Sequence, residues 1–264
     1  MVIDGHTAFT GGINLADEYI NINSPYGHWK DNSIMLKGKG VYGFTLLFLA
    51  NWLVRFEPRK KIDYDYYRPE TYIDEDGGFP ESDGFVQPYS DSPLDKENVG
   101  KMVYLDIINN AKKYVYITTP YLILDNEMLT ALQLAAKKGV DVRIITPHIP
   151  DKWYVYMIAW TYYPLLIEAG VKIFEYTPGF IHAKSFVSDD ARAVIGTINL
   201  DYRSLYLHYE CACLLYQSSV VADIKDDFLE TQALSQQISI DDCKKLPLRK
   251  KIAGWLLNIF APML

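Results

Sequence analysis

Residues 181–200 read IHAKSFVSDDARAVIGTINL, two short apolar and β-branched runs that meet at Asp189-Asp190. Runs of this length joined by a two-residue polar turn predict a β-hairpin. Side chains at i and i+2 of a strand share a face, so the His182 imidazole and the Lys184 ammonium project together. An imidazole acting as nucleophile or general acid/base beside a fixed cation suits attack at an anionic phosphoryl centre. Asn199, in the Gly196-Thr197-x-Asn199 run that follows, can add a neutral donor to the same oxygens. The bland alternative is a half-buried strand whose His and Lys happen to align.

The same design occurs 185 residues earlier. VIDGHTAFTGGINL (2–15) set against VSDDARAVIGTINL (187–200) matches Val2/Val187, Asp4/Asp189, Ala8/Ala193, Gly11/Gly196, Ile13/Ile198, Asn14/Asn199 and Leu15/Leu200. Two hairpins of one pattern at this separation predict a duplicated unit. Subtracting 185 from 182 and 184 gives −3 and −1, so the first copy has no counterpart of His182 or Lys184 within the 264 residues. Asp4, Gly11 and Asn14 then read as the remnant of a motif whose reactive head is absent. His6 lies beyond the Asp in the turn and cannot replace it. The expectation is the C-terminal portion of a longer enzyme.

Between the two hairpins, KYVYITTPYL, DVRIITP and VKIFEYTPG read as strands, and NEMLTALQLAAKKG and DKWYVYMIAWTYYPLLIEAG as helices. Strand and helix in turn imply an α/β fold, with mixed, mostly parallel sheets flanked by helices. The predicted organisation is a first unit remnant (1–56), a connecting region rich in Pro, Gly, Asp, Glu and Tyr (57–98), a complete second unit (99–243) and a basic amphipathic segment (244–264).

Charge is uneven along this layout. The whole chain sums to −7, from 26 basic and 33 acidic residues, which argues against a protein built to grip nucleic acid backbones. Lys244, Lys245, Arg249, Lys250 and Lys251 crowd into eight positions, and no acid follows Asp242, so the last 21 residues carry +5 on a body of −12. VYGFTLLFLANWLVRF (41–56) and IAGWLLNIFAPML (252–264) both fall short of the roughly 20 apolar residues of a spanning helix. The second run has two readings, an interfacial helix on anionic lipid or a terminal helix docked on the core. Three cysteines (Cys211, Cys213, Cys243) form no regular framework and fit a reducing compartment. A zinc site of Cys211 and Cys213 with His208 lacks a second ligand pair at metal spacing.

HxKxxxxD followed by GTxN resembles the phospholipase D superfamily, whose signature occurs twice in most members. QPYSDSPLD (87–95), YLDIINNAKKYVYITTPYL (104–122), VRIITPHIPDK, EYTPGFIHAKS and GTINLDYRSLYLHYE look like bacterial cardiolipin synthases. The resemblance implies transfer of a phosphatidyl group from one phosphatidylglycerol to the glycerol hydroxyl of another, through a phosphohistidine and without a metal ion or other cofactor. It implies His182 as general acid/base, Lys184, Asn199 and Asn14 as holders of phosphate oxygens, and Glu210 as the carboxylate on the imidazole's other nitrogen. Asp31, in HWKDNSIML, resembles the orienting carboxylate of the first unit, and Asp189 belongs to the motif but reads as an anchor of the hairpin turn. His28, His148 and His208 lack a following HxK partner and read as surface or supporting residues.

The resulting expectation is a cardiolipin synthase-type phosphatidyltransferase at the cytoplasmic face of a bacterial cell membrane. Phosphatidylglycerol and anionic lipid are its partners, nucleic acid is not, and the oligomeric state is left open. Because one HxK pair is missing, these 264 residues alone are expected to show little or no transfer. Two rivals stand beside this reading: a phosphodiesterase or nuclease with the same phosphoryl chemistry, and a non-catalytic membrane-associated fragment.

Overall fold

The computed structural model describes residues 1–57, 59–69, 83–94 and 96–263. The first unit comprises β1 (Val2–Ile3), β2 (Thr7–Gly11), β3 (His28–Lys30), β4 (Ser33–Lys37) and α1 (Val41–Phe56). The second begins with β5 (Phe85–Asp91), α2 (Val99–Asn110), β6 (Tyr114–Thr118), α3 (Asn126–Lys137), β7 (Asp141–Pro147), α4 (Trp153–Ala169) and β8 (Lys172–Tyr176). After β9 (Gly179–Ile181) come the hairpin β10 (Ser185–Ser188) and β11 (Arg192–Gly196), then β12 (Glu210–Tyr216), α5 (Val220–Ala233) and β13 (Ser235–Ile238). The chain closes with α6 (Ile240–Lys245) and α7 (Leu248–Asn258).

The large sheet runs β13-β8-β7-β6-β10-β11-β12-β5, and β1-β2-β4 form a separate small one. The α/β class expected from the sequence holds, but within the large sheet parallel pairing is confined to β6-β7-β8, with a further short parallel pair between β3 and β9. Helical crossovers feed those three strands, whereas the tight Asp189-Asp190 turn forces β10 and β11 to run antiparallel. The expected connecting region also contains β5, which pairs along the whole of β12 as an edge strand of the second unit. The acid-rich part of that region, 70–82, lies outside the described residues.

Duplication is visible in individual hydrogen bonds. Val2 pairs with Ala8 as Val187 pairs with Ala193, and both turns hold positive-φ residues, Asp4-Gly5 and Asp189-Asp190. Gly11 pairs with Ser33 as Gly196 pairs with Ala212, so the third strands match at an offset of 212 − 33 = 179. At that offset Gly38 corresponds to Gln217, both at positive φ. Gly38 N donates to His6 O at 2.9 Å, and Gln217 N to Ala191 O at 2.7 Å. Helices α1 and α5 follow in the same place. The two sheets meet face to face across one apolar layer, with Ala8, Ile34, Leu36 and Phe44 on one side and Ala193, Cys213, Leu215 and Phe228 on the other.

Asp189 is an anchor and stands apart from the pocket described below. Its carboxylate accepts from the backbone N–H of Lys112, Lys113 and Tyr114 at 2.6, 2.8 and 2.9 Å, tying the hairpin to the start of β6. The catalytic role that the motif assigns to it is therefore corrected to a structural one. Asp189→Ala leaves three donors without that acceptor and is expected to cost about 1–3 kcal/mol, read as a lower urea midpoint at constant m. A loss under about 0.5 kcal/mol would remove the anchor role.

Candidate active site

The site begins with a short parallel pairing. β3 from the first unit lies against β9 from the second in the register Trp29↔Phe180 and Lys30↔Ile181, and His182 N donates to Lys30 O at 2.7 Å. This places Asp31, the next residue on one chain, opposite His182 on the other. The imidazole Nδ1 lies 2.9 Å from Asp31 Oδ2, while Asp31 Oδ1 accepts from Asn32 N at 2.8 Å. Gly12 is small of necessity, because a Cβ there would come within 2.2 Å of Asp31 Oδ1 and 2.7 Å of His182 O.

Lys184 is buried two residues on, with Nζ 2.8 Å from His182 Nδ1 and bonded to the His182 carbonyl. One ring nitrogen cannot donate to Asp31 and accept from Lys184 at once. The carboxylate is the better partner for an Nδ1–H, and the ammonium has the carbonyl as its own acceptor. That assignment leaves Nε2 for chemistry. Trp29, Tyr19 and Phe180 surround the ring at centroid distances of 5.2, 5.3 and 6.0 Å. Burial in this aromatic setting pushes the His182 pKa down, against the upward pull of the Asp31 hydrogen bond. Burial likewise lowers Lys184 to about 7.

A pocket of about 710 Å³ opens onto this pair. His182, Lys184, Asn199, Asn14, Gly11 and Glu210 line it, so the sequence-derived candidates converge, with Asp4 and Asp189 away in the hairpin turns. Asn14 Nδ2 donates to Tyr19 OH at 2.8 Å at its edge. Glu210 does not serve His182. Its carboxylate accepts from Thr197 Oγ1 and, at 2.7 Å, from Ser204 Oγ, and lies 3.6 Å from His208 Nδ1. The reason lies in the register: Asp31 is two residues before Ser33 and Glu210 two before Ala212, so they are equivalent carboxylates of the two units. Asp31 reaches across to an imidazole of the opposite unit, whereas the partners of Glu210 are of its own unit. Burial raises the Glu210 pKa, opposed by its two hydroxyl donors.

Sequence reasoning missed several lining residues, among them Tyr19, Tyr121, Lys152, Asp201 and Arg203. DYRS directly after GTINL was the available signal for Asp201 and Arg203. Asp201 Oδ1 accepts from Ser204 N at 2.7 Å, holding the π-helical turn Arg203–Leu207. His208 also reaches the pocket, whereas His148 bonds Glu175 at 2.9 Å and His28 bonds Tyr176 OH at 2.9 Å, both outside it. Among the described residues no group of three or more His, Cys, Asp or Glu could hold a metal ion.

Two titrations test this geometry. Asp31 raises the His182 pKa, so Asp31→Asn is expected to lower it further and to shrink the imidazolium fraction near pH 6, read from the histidine Cε1–H shift by NMR. An unchanged titration would sever the pair. Sulfate keeps its charge across the neutral range while Lys184 loses its proton as pH rises through about 7, so sulfate affinity should fall through that window. The same fall in a Lys184→Met variant would assign it elsewhere.

A family model described as "Cardiolipin synthase, PLD-like domain" matches residues 104–231. An uncharacterised protein of Streptococcus mutans is 51% identical over the whole chain, which covers 56% of that relative. A cardiolipin synthase of Geobacillus kaustophilus is 36% identical over the whole chain, which covers 51% of it. The chain thus spans about half the length of the curated relatives it matches. Among solved structures, phosphatidylserine synthase of Haemophilus influenzae superposes with a TM-score of 0.65 at 15% identity, over 98% of this chain and 67% of the other, a likeness of fold.

Proposed function

We propose that the chain is part of a phospholipase D-superfamily phosphatidyltransferase that converts two phosphatidylglycerols to cardiolipin and glycerol, a reading supported by the match of residues 104–231 to a cardiolipin synthase, PLD-like domain model and by the 36% identity to a cardiolipin synthase. The observation that carries this reading is the Asp31–His182 pair beside buried Lys184 at the floor of the pocket. Asp31 holds Nδ1–H, so Nε2 of His182 is the atom that moves a proton.

The reaction runs in two displacements. An imidazole nitrogen attacks phosphorus, the P–O bond to the terminal glycerol breaks, and the departing oxygen takes a proton from His182. The hydroxyl of a second phosphatidylglycerol then gives its proton to His182 and attacks phosphorus, and the P–N bond breaks. Burial favours the neutral His182 ring in the empty site. An anionic phosphate arriving beside it favours the protonated ring that the first step needs. Lys184 and Asn199 would hold the non-bridging oxygens, with Asn14 at the far edge.

The nucleophile is assigned to the first unit's equivalent of His182. Glu210 supports this, because it is the register equivalent of Asp31 and faces the pocket, its nearby imidazole being His208 of its own unit at 3.6 Å. A phosphodiesterase would use the same groups with water as acceptor. Exposed apolar and basic surface favours lipid over nucleic acid: α7 is docked on α4 through Gly254 and a Tyr162 OH–Asn258 hydrogen bond of 3.0 Å, yet presents Leu248, Ile252, Trp255 and Ile259 outward beside its lysines. The docked-helix reading of that segment therefore holds for one face, and the exposed face is the one that supports the lipid reading. No helix among the described residues is long and apolar enough to cross a membrane, and the proposed membrane contact is through this surface.

The purified 264-residue chain, incubated with phosphatidylglycerol vesicles and resolved by thin-layer chromatography, is expected to form no cardiolipin. Robust formation would overturn the two-imidazole assignment. Turnover of single-stranded DNA in preference to the lipid would favour the nuclease reading.

A further inference from the structure

Helix α1 does the same structural work as α5, and its outer face is unlike it. Both follow the third strand of a repeated unit and pack inward on the shared apolar layer, α1 through Val41, Phe44, Thr45 and Leu49, α5 through Val221, Ile224, Phe228 and Thr231. Outward, α5 presents Ala222, Asp223, Asp226 and Glu230, an ordinary solvated helix face. Outward, α1 presents Phe48, Trp52, Val54 and Phe56, exposed by 57, 41, 65 and 60%. At the 179-residue offset Phe48 stands where α5 has Asp227, which is ion-paired with Lys30. A helix in this position has no structural need of aromatic surface.

These rings form a continuous strip. Phe48 stacks on Trp52 at 5.9 Å, and Trp52 lies 4.7 Å from Phe56, at i, i+4 and i+8. No acid occurs from 41 to 56, and the strip ends at Arg55, followed by Arg59, Lys60 and Lys61. Glu57 offsets one of these cations, at 2.7 Å from Lys60. A groove of about 250 Å³ beside the strip is bounded by Phe48, Trp52, Ile62 and Tyr67, with Lys60 on its wall. On the adjoining side of the same helix, Leu47 and Asn51 line the active-site pocket.

We propose that α1 seats the protein on an anionic lipid bilayer, with the Phe48–Trp52–Phe56 strip in the interfacial layer and the pocket mouth alongside it. The proposal rests on the lipid reading above. Aromatic rings sit at the headgroup boundary, and the flanking cations meet anionic phosphates there. A second copy of this chain is a poorer occupant, because it would bring one cationic rim against another. Seating by α1 would bring headgroup phosphates beside the pocket that Leu47 and Asn51 of the same helix line.

The test is co-sedimentation of the full chain with vesicles of phosphatidylcholine containing 30 mol% phosphatidylglycerol (roughly the anionic content at which such helices bind) and with pure phosphatidylcholine. The triple variant Phe48→Ser, Trp52→Ser, Phe56→Ser is expected to lower the partition coefficient on anionic vesicles by about tenfold or more. Leu15→Ser, on another exposed apolar surface, is expected to leave it unchanged. Quenching of wild-type tryptophan by brominated lipid should fall in Trp52→Phe, a milder change that preserves the fold if the triple variant does not. Unchanged partition together with unchanged quenching would overturn the proposal, as would a wild-type dimer that the triple variant splits. Vesicle binding requires no turnover, so failure to make cardiolipin would sink the transferase reading and leave this result standing.

Discussion

A carboxylate from one repeated unit holds the imidazole of the other, and the remainder of the site depends on that contact. Only three residues of β3 and three of β9 set it up, pairing in parallel so that Asp31 and His182 emerge side by side. A slip of one residue would turn every side chain of the strand to the opposite face and carry Asp31 away from the ring. The packing around it leaves little room for such a slip. Trp29 is pressed between Tyr19 and Phe180, and Gly12 abuts the carboxylate with no space for a side chain. The site is thus an interface before it is a motif: HxK supplies the reactive groups, and the junction of two units orients them.

The two units share a hydrogen-bond plan and differ in cover. Leu200, Ile198, Val194 and Phe186 are buried beneath α2, α3 and α4 in the second unit. Their counterparts Leu15, Ile13, Phe9 and Met1 are all exposed in the first, Leu15 at 99%. These apolar side chains occupy positions where the fold elsewhere buries core, so their exposure follows from the architecture of the unit. The α1 strip is a different case, since Phe48 is matched on α5 by the ion-paired Asp227 and Trp52 by the small, buried Thr231.

Much of this was legible in the sequence because duplication and strand periodicity are local signals. The hairpin at Asp189-Asp190, the α/β alternation from 114 to 176 and the convergence of His182, Lys184 and Asn199 all follow from spacing alone. What sequence could not assign was partnership across units. Glu210, at 28 positions from His182, looked like its orienting carboxylate, yet β-sheet register gives that place to Asp31, 151 positions away. No periodicity reports which of two equivalent acids crosses to which histidine. β5 was hidden for a similar reason: FVQPYSD contains a proline and weak alternation, tolerable only because it is an edge strand whose pairing comes from β12. Membership of the motif set Asp189 among the site residues, but its place at the turn already read as an anchor, and its carboxylate is occupied by three backbone donors.

Electrostatics ties the pocket to its substrate class. Asp31, Glu210, Asp201 and Asp151 all act to keep Lys184 charged, yet burial outweighs them and brings it to about 7. An ammonium so nearly neutral is poorly stabilised by protein alone and has one obvious remedy, a substrate that carries a negative charge into the same dry space. Phosphodiester oxygens do this, and a neutral ligand would not. A bound anion would then favour proton uptake at Lys184 and, by the same field, at His182, as the proposed transfer requires. In this way the burial that weakens the empty site makes the occupied one selective for an anion.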